Sequence, residues 1–213
     1  MKGIRDILFI IVTIASVLNA TGASLTQKEQ SAIVSAIEKN VSSMKSMNCS
    51  FTQTKHLSLL KDKMISEGKM WYKSPGKLRW EYTTPYKYQL VFNGAKVYVA
   101  NRNRKDVIDT NSNRIFKEVA RIMMETVTGT ALSNSGDFSK IVSKDNNSYL
   151  VTLNPKKKEL KQMFTKIVLH FTQKGYSISE IDLYEKNGDR TNIRLKNIIT
   201  NSTINENLFT IPK

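Results

Sequence analysis

The chain has 213 residues, 33 of them Lys or Arg against 18 Asp or Glu, giving a formal charge of +15 with 40% hydrophobic composition. That length points to one domain burying about 70% of its extended-state surface, and the composition excludes a disordered chain. The lone cysteine, Cys49, excludes an intramolecular disulfide framework or a multi-cysteine zinc site, and two histidines, His56 and His170, leave little room for a histidine-based cluster.

At the N-terminus, Lys2 and Arg5 precede an apolar run from Ile7 to Leu18 and the small residues Thr21-Gly22-Ala23. As a helix the run spans about 18 Å, too short for a bilayer core of about 30 Å. The order of features predicts a secretory signal peptide over 1–23, cleaved after Ala23. The mature part, 24–213, is expected to be a single domain exported to the periplasm. Cys49 lies too far beyond the cut to carry a lipid anchor.

Next, Thr26 and Glu29 have the spacing of a capping box. Ile33, Ile37, Val41 and Met44, with Val34 alongside, then predict an amphipathic helix over about 27–46. From Phe51 the period changes to two. Leu78, Trp80 and Tyr82 alternate with Lys77, Arg79 and Glu81, a strand with one apolar and one charged face. Tyr88–Phe92 and Lys96–Val99 flank Asn93-Gly94 as a hairpin with a two-residue turn. A second helix is predicted over about 114–127 from Ile115, Phe116, Val119, Ile122, Met123 and Val127, ended by Gly129 and the stretch to Gly136. Further strands are expected at 148–153, 162–171, 176–184, 190–198 and 208–211, between the turn residues Asn146-Asn147, Lys174-Gly175 and Asn187-Gly188. Roughly ten strands and two helices suggest one strongly curved antiparallel sheet whose inner face the helices cover.

The positive charge raises nucleic acid as a partner, but export and the scattering of basic residues along strands argue against it. Lys156-Lys157-Lys158 after Pro155 reads as a solvated turn. The charge is expected instead to favour transient proximity to a membrane surface or an acidic partner. No phosphate loop, nucleophile elbow or zinc-protease motif occurs. Cys49 reads as a small buried hydrophobe, and His56 and His170 as strand-surface residues without a carboxylate pattern nearby. Glu81, Asp106, Asp109, Asp182 and Glu185 are expected on solvent-facing strand positions. No cofactor, metal or enzymatic activity is therefore expected. A curved sheet with helical covers can instead admit an apolar ligand, for which Met70, Met123, Met124 and Met163 supply an adaptable surface.

The run Gly68-Lys-Met-Trp-Tyr-Lys-Ser-Pro-Gly-Lys-Leu-Arg-Trp-Glu-Tyr82 strongly resembles the LolA family of periplasmic lipoprotein carriers. Ser50–Gln53, Leu90–Gly94, Lys96–Tyr98, Gly188–Ile193 and Asn207–Pro212 agree with that resemblance, which covers nearly the whole mature chain. It implies an α+β, mostly β fold: an incomplete antiparallel half-barrel with helices over its concave face. It implies a carrier of acylated lipoproteins that receives cargo from an inner-membrane ABC transporter and passes it to an outer-membrane acceptor. A monomer is expected. In this frame Leu78, Trp80, Tyr82, Leu90 and Phe92 are expected to line the acyl-chain cavity, with Ile33, Ile37, Ile122 and Met123 on the lid helices. Family carriers often place a lid-latching arginine before the motif's proline. Here Ser74 stands there, so the latch is either absent or supplied by Lys73 or Arg79. Two alternatives stay open: a related lipid or acyl binder of a dedicated lipid or pigment pathway, and a half-barrel interaction or sensor module.

Overall fold

The computed structural model describes residues 25–59, 62–112, 114–133 and 136–212, so the leader expected over 1–23 lies outside the described residues. Helix α1 (Gln27–Ser42) opens with the predicted capping box. Thr26 Oγ1 accepts from the Glu29 amide at 3.3 Å, and the Thr26 amide donates to Glu29 Oε2 at 2.8 Å. The helix stops short of the predicted residue 46. The Met44 amide bonds the Val41 carbonyl in a tighter turn, and the Lys45 amide donates to Asn201 Oδ1 at 2.7 Å, drawing the chain into the sheet.

Six antiparallel strands follow: β1 (Ser46–His56), β2 (Lys63–Lys73), β3 (Lys77–Thr84), β4 (Tyr88–Asn93), β5 (Lys96–Asn101) and β6 (Lys105–Asp109). Asn93 pairs with Lys96, so the two central residues of the β4–β5 turn are Gly94 and Ala95 rather than Asn93 and Gly94, with Gly94 at φ +60°. Helix α2 (Arg114–Thr128) comes next; the side chains of Ile115, Phe116 and Val119 lie outside the described residues. A 3₁₀ turn (Thr130–Leu132), β7 (Phe138–Lys144) and β8 (Ser148–Pro155) lead to a short helix, α3 (Lys158–Met163). This helix takes up Lys158, the last residue of the predicted lysine turn, and the start of the strand expected at 162, while Lys156 and Lys157 form an exposed bend before it. β9 (Phe164–Thr172), β10 (Ile178–Glu185) and β11 (Arg190–Thr200) complete one eleven-stranded sheet.

The strand order is β6-β5-β4-β3-β2-β1-β11-β10-β9-β8-β7, every pairing antiparallel. β1 and β11, the first and last strands in chain order, meet at the centre, and β6 and β7 are the free edges. The segment joining those edges is the one that contains α2. A sheet of this length curls, and a helix strung from edge to edge then lies across its mouth. The fold is thus the expected open half-barrel with helices on its inner side. Ile33, Ile37 and Val41 of α1 and Ile122 and Val127 of α2 join the inward side chains of the sheet in one buried cluster.

Gly68 shapes this interior. It pairs with Phe51, and a Cβ there would stand 2.1 Å from the Glu81 carbonyl oxygen and 2.5 Å from the Phe51 ring. Its missing side chain lets Phe51 lie against Trp80, ring centroids 4.2 Å apart, and edge-on to Tyr82 at 5.3 Å.

The segment expected to be a strand at 208–211 is instead a 3₁₀ turn, Glu206–Phe209. β1 and β10 already occupy both edges of β11, so the chain beyond it has no adjacent edge to join. It crosses the outer face of the sheet, where Phe209 and Ile204 bury themselves against Val91 and Tyr98 in a second cluster.

Candidate functional site

The inner face of the sheet and α2 border a half-open apolar cavity of about 260 Å³. The floor comes from alternate residues of several strands: Trp80 and Tyr82 of β3, Leu90 of β4, Gln53 of β1, Ile181 and Leu183 of β10, and Thr191 and Ile193 of β11. Pairing aligns them, since Trp80 faces Leu90, Ile181 faces Ile193 and Gln53 faces Ile193 across their ladders. The roof is Ile122, Met123, Thr126 and Val127 of α2, and Met163 and Phe164 close one side. Near-complete aliphatic and aromatic lining suits hydrocarbon and offers no charge for a polar ligand.

The residues expected at this site divide. Trp80, Tyr82, Leu90, Ile122 and Met123 stand together on the cavity. Leu78 shares the inner face but is buried in the core, as are Ile33 and Ile37 of α1. Phe92 lies in a neighbouring hollow with Val97, Arg121 and Met124. Strand alternation identifies a face, and the helices above it decide which residues on that face meet free space. Sequence reasoning misses Ile181, Leu183, Thr191 and Ile193, although the alternation of 178–185 and 190–195 carries the signal.

The polar groups around the cavity are few. The Tyr82 hydroxyl donates to Gln53 Oε1 at 2.9 Å, and burial pushes its pKa up, with Trp80 and Gln53 opposing the shift. Thr191 Oγ1 donates to Glu185 Oε1 at 3.0 Å. Trp80 Nε1 and Thr126 Oγ1 are buried without any hydrogen-bond partner.

Lys73, Ser74 and Arg79 do not reach the roof. Arg79 projects to the opposite face from Trp80, where it holds Glu81 at 2.7 Å, Gln89 at 3.1 Å and the Leu208 carbonyl at 3.3 Å. Lys73 bonds Glu206, as does Lys77 at 2.7 Å. The Ser74 amide donates to the Lys45 carbonyl at 2.9 Å. These residues fasten the C-terminal segment and the strand ends, so the alternative of a latch at Lys73 or Arg79 is corrected.

What ties α2 down is a different cluster. Arg121 reaches from α2 to Asp137, just before β7, at 2.6 Å, while also holding Glu118 at 2.5 Å and Glu125 at 2.7 Å. Lys157, the residue before α3, bonds the other oxygen of Asp137 at 2.5 Å. Asp137 is only 1% exposed. Burial alone would raise its pKa, but Lys157 and Arg121 hold it below the usual carboxylate value. Lys157 thus stays exposed in a bend, as the lysine run predicts, but its ammonium is tied to Asp137.

Burial pushes the Cys49 thiol up to about 12, leaving it inert as a nucleophile. His170, Glu180 and Asp182 place ligand atoms within 4.8 Å of one another on the outer face, opposite Ile181 and Leu183. Asp182 is 3% exposed rather than solvent-facing, and it accepts from Arg190 at 2.9 Å and Asn192 at 2.8 Å and contacts His170 at 3.1 Å. Glu180 accepts from Arg194 at 3.1 Å. Two guanidinium groups neutralise both carboxylates, so the cluster is an internal ion-pair network and not an open ligand set.

Among the described residues, no helix is long and apolar enough to cross a membrane. The sequence profile of the family described as "Outer membrane lipoprotein carrier protein LolA" matches residues 42–212. The outer-membrane lipoprotein carrier protein of Methylococcus capsulatus is 24% identical over 175 residues, covering 82% of this chain and 81% of that protein. Its counterpart in Legionella pneumophila strain Corby is 23% identical over 175 residues, covering 81% and 82%. Among solved structures, an uncharacterized conserved protein from Thermus thermophilus superposes with a TM-score of 0.54 at 8% identity, over 86% of this chain and 94% of that one. The complex structure of Pseudomonas aeruginosa MucA/MucB gives 0.52 at 10% identity, over 86% and 61%. At such identities the structural likeness is one of fold alone.

Proposed function

The chain belongs to the family of outer membrane lipoprotein carrier proteins, and from that premise we propose that it binds lipoprotein acyl chains beneath α2 and shuttles lipoproteins from the inner to the outer membrane. The observation that carries this reading is the apolar cavity between the concave sheet and a helix that spans its two free edges. In the periplasm it would take cargo from an inner-membrane ABC transporter and give it to an outer-membrane acceptor, working as a monomer without catalysis. Leu90 and Trp80 on the floor and Ile122 and Met123 on the roof are the proposed acyl contacts.

The energetics suit a carrier. Burying hydrocarbon is worth about 0.8 kcal/mol per CH₂. At about 260 Å³ the cavity falls just below the about 300–1,000 Å³ of ordinary ligand sites. Long acyl chains therefore require α2 to move outward, and the free energy spent exposing Ile122 and Val127 is subtracted from the gain. That offset keeps affinity low enough for onward release. The surplus of basic residues would favour brief encounters with anionic membrane surfaces.

The test is a release assay with purified residues 24–213 and spheroplasts of the source organism. Newly made lipoproteins should appear in the supernatant in complex with the protein. Lipoproteins that stay in the membrane while the protein still binds an acyl probe would overturn the shuttling role.

A further inference from the structure

The cavity is apolar except for five side chains, and three of these are engaged. Gln53 and Tyr82 bond each other, and Thr191 bonds Glu185. Trp80 Nε1 and Thr126 Oγ1 remain buried and unpartnered, in residues 1% and 4% exposed. The indole N–H lies close enough to the Tyr82 hydroxyl to oppose the rise in its pKa as a weak hydrogen-bond contact, but short of full hydrogen-bond geometry. Unpartnered buried atoms are rare in folded proteins because each forfeits its bonds to water without replacement. A buried indole N–H ordinarily finds an acceptor.

Thr126 is the more telling of the two. A threonine inside a helix usually turns its hydroxyl back to a carbonyl one turn earlier. Thr128, two residues on, does so, donating to the Met124 carbonyl at 2.8 Å. Thr126 on the cavity side makes no such bond. Trp80 is on the floor and Thr126 on the roof of the same cavity, and both polar atoms are covered while α2 is in place, to be uncovered by the outward movement that long chains require.

We propose that Trp80 Nε1 and Thr126 Oγ1 form a polar readout inside the cavity that recognises the carbonyl of an ester-linked acyl group. This rests on the acyl-carrier reading above and specifies what part of the cargo the site recognises besides its hydrocarbon. An ester carbonyl offers acceptor lone pairs and no donor, the complement of an N–H and an O–H. A bare hydrocarbon leaves both donors unsatisfied. Because one donor belongs to β3 and the other to α2, an ester bound to both also ties the roof to the floor when cargo is present.

The experiment compares a diacylglyceryl-cysteine lipopeptide with its diether counterpart of equal chain length. Each competes with a fluorescent acyl probe for the intact mature protein. The wild type should prefer the diester by about five- to thirtyfold, the size of one or two net hydrogen bonds. The ratio should fall toward one in Thr126→Val and in Trp80→Phe, and Thr126→Ser should restore it. Reading the ratio removes any general loss of affinity in the variants. A parallel pair, diester and diether phosphatidylglycerol, distinguishes a lipoprotein source of the carbonyl from a membrane-lipid source; a preference in either pair supports the readout. Equal binding of diester and diether by the wild type in both pairs overturns the readout alone, as does a preference that survives both Thr126→Val and Trp80→Phe. Failure to bind either lipopeptide overturns the carrier reading, and the readout with it.

Discussion

Arg121 is the residue through which α2 is held over the cavity, and replacing it should open the roof. Arg121→Met keeps the aliphatic stem and removes the guanidinium. Three ionic contacts disappear: those to Glu118 and Glu125 on the same helix and that to Asp137 at 2.6 Å. The two helical pairs are each worth about 0.2–0.5 kcal/mol. The bond to the buried Asp137 carboxylate is a charge-assisted one, about 1.5–3 kcal/mol, taken near its lower end because Lys157 still faces the other oxygen. The helical pairs persist in both states, so the closed roof should lose only the Asp137 contact, about 1.5 kcal/mol relative to the open one, a shift of roughly tenfold in their ratio. Hydrogen exchange reads this directly. Amides of α2 should exchange about tenfold faster in the variant, while those at the β1–β11 junction follow only global stability. Uptake of an acyl probe in stopped flow should quicken in step. If α2 exchange rose no more than that of β1, or uptake were unchanged, the clamp would not be what governs access.

Other perturbations test other parts of the structure. Leu183→Glu places a carboxylate on the half-buried cavity wall; it should abolish acyl-probe binding yet unfold cooperatively, and undiminished binding would contradict the site. Gly68→Ala drives a methyl into the Glu81 carbonyl and the Phe51 ring; overpacking of this kind costs about 1–3 kcal/mol, so the thermal midpoint should fall by several degrees, and an unchanged midpoint would refute the contact. Asp182 has its pKa lowered from 3.8 to about 2, with burial opposing the shift and His170, Asn192 and Arg190 outweighing it. The stability it contributes is present in full above its unfolded value near 4 and is lost as pH falls through 4 toward 2, roughly 2 kcal/mol in all. Urea midpoints between pH 5 and 2 should therefore decline less steeply in Asp182→Asn than in the wild type, and parallel declines would refute the assignment.

Much of this architecture can be read directly from residue order. The Thr26–Glu29 box and the four-residue spacing of Ile33, Ile37 and Val41 announce α1, and the alternation from Lys77 to Tyr82 gives β3 and the face it turns inward. Three things escape such reading, for separate reasons. Helix α3 has six residues, too few for a 3.6-residue period to register, and its lysines imitate a loop. The fate of the C-terminal segment depends on which strand edges are occupied, and that is settled by strands far away in sequence. The clamp on α2 joins Arg121, Asp137 and Lys157, three charges with no common spacing that meet because the chain crosses from one sheet edge to the other. For the cavity, alternation names the inward face but not the part of it that α2 leaves uncovered. Leu78 and Trp80 are two residues apart on one strand and one face, yet only Trp80 borders the free space.

Whether acyl chains lodge between the sheet and α2 is tested most directly with a photoreactive fatty-acyl lipopeptide cross-linked to residues 24–213 and mapped by mass spectrometry. Adducts on Met123, Ile181 and Leu183, lost on competition with unlabelled lipopeptide, are the expected result. Adducts confined to the outer face around Trp71, Leu208 and Ile211, or labelling that competitor does not diminish, would contradict it.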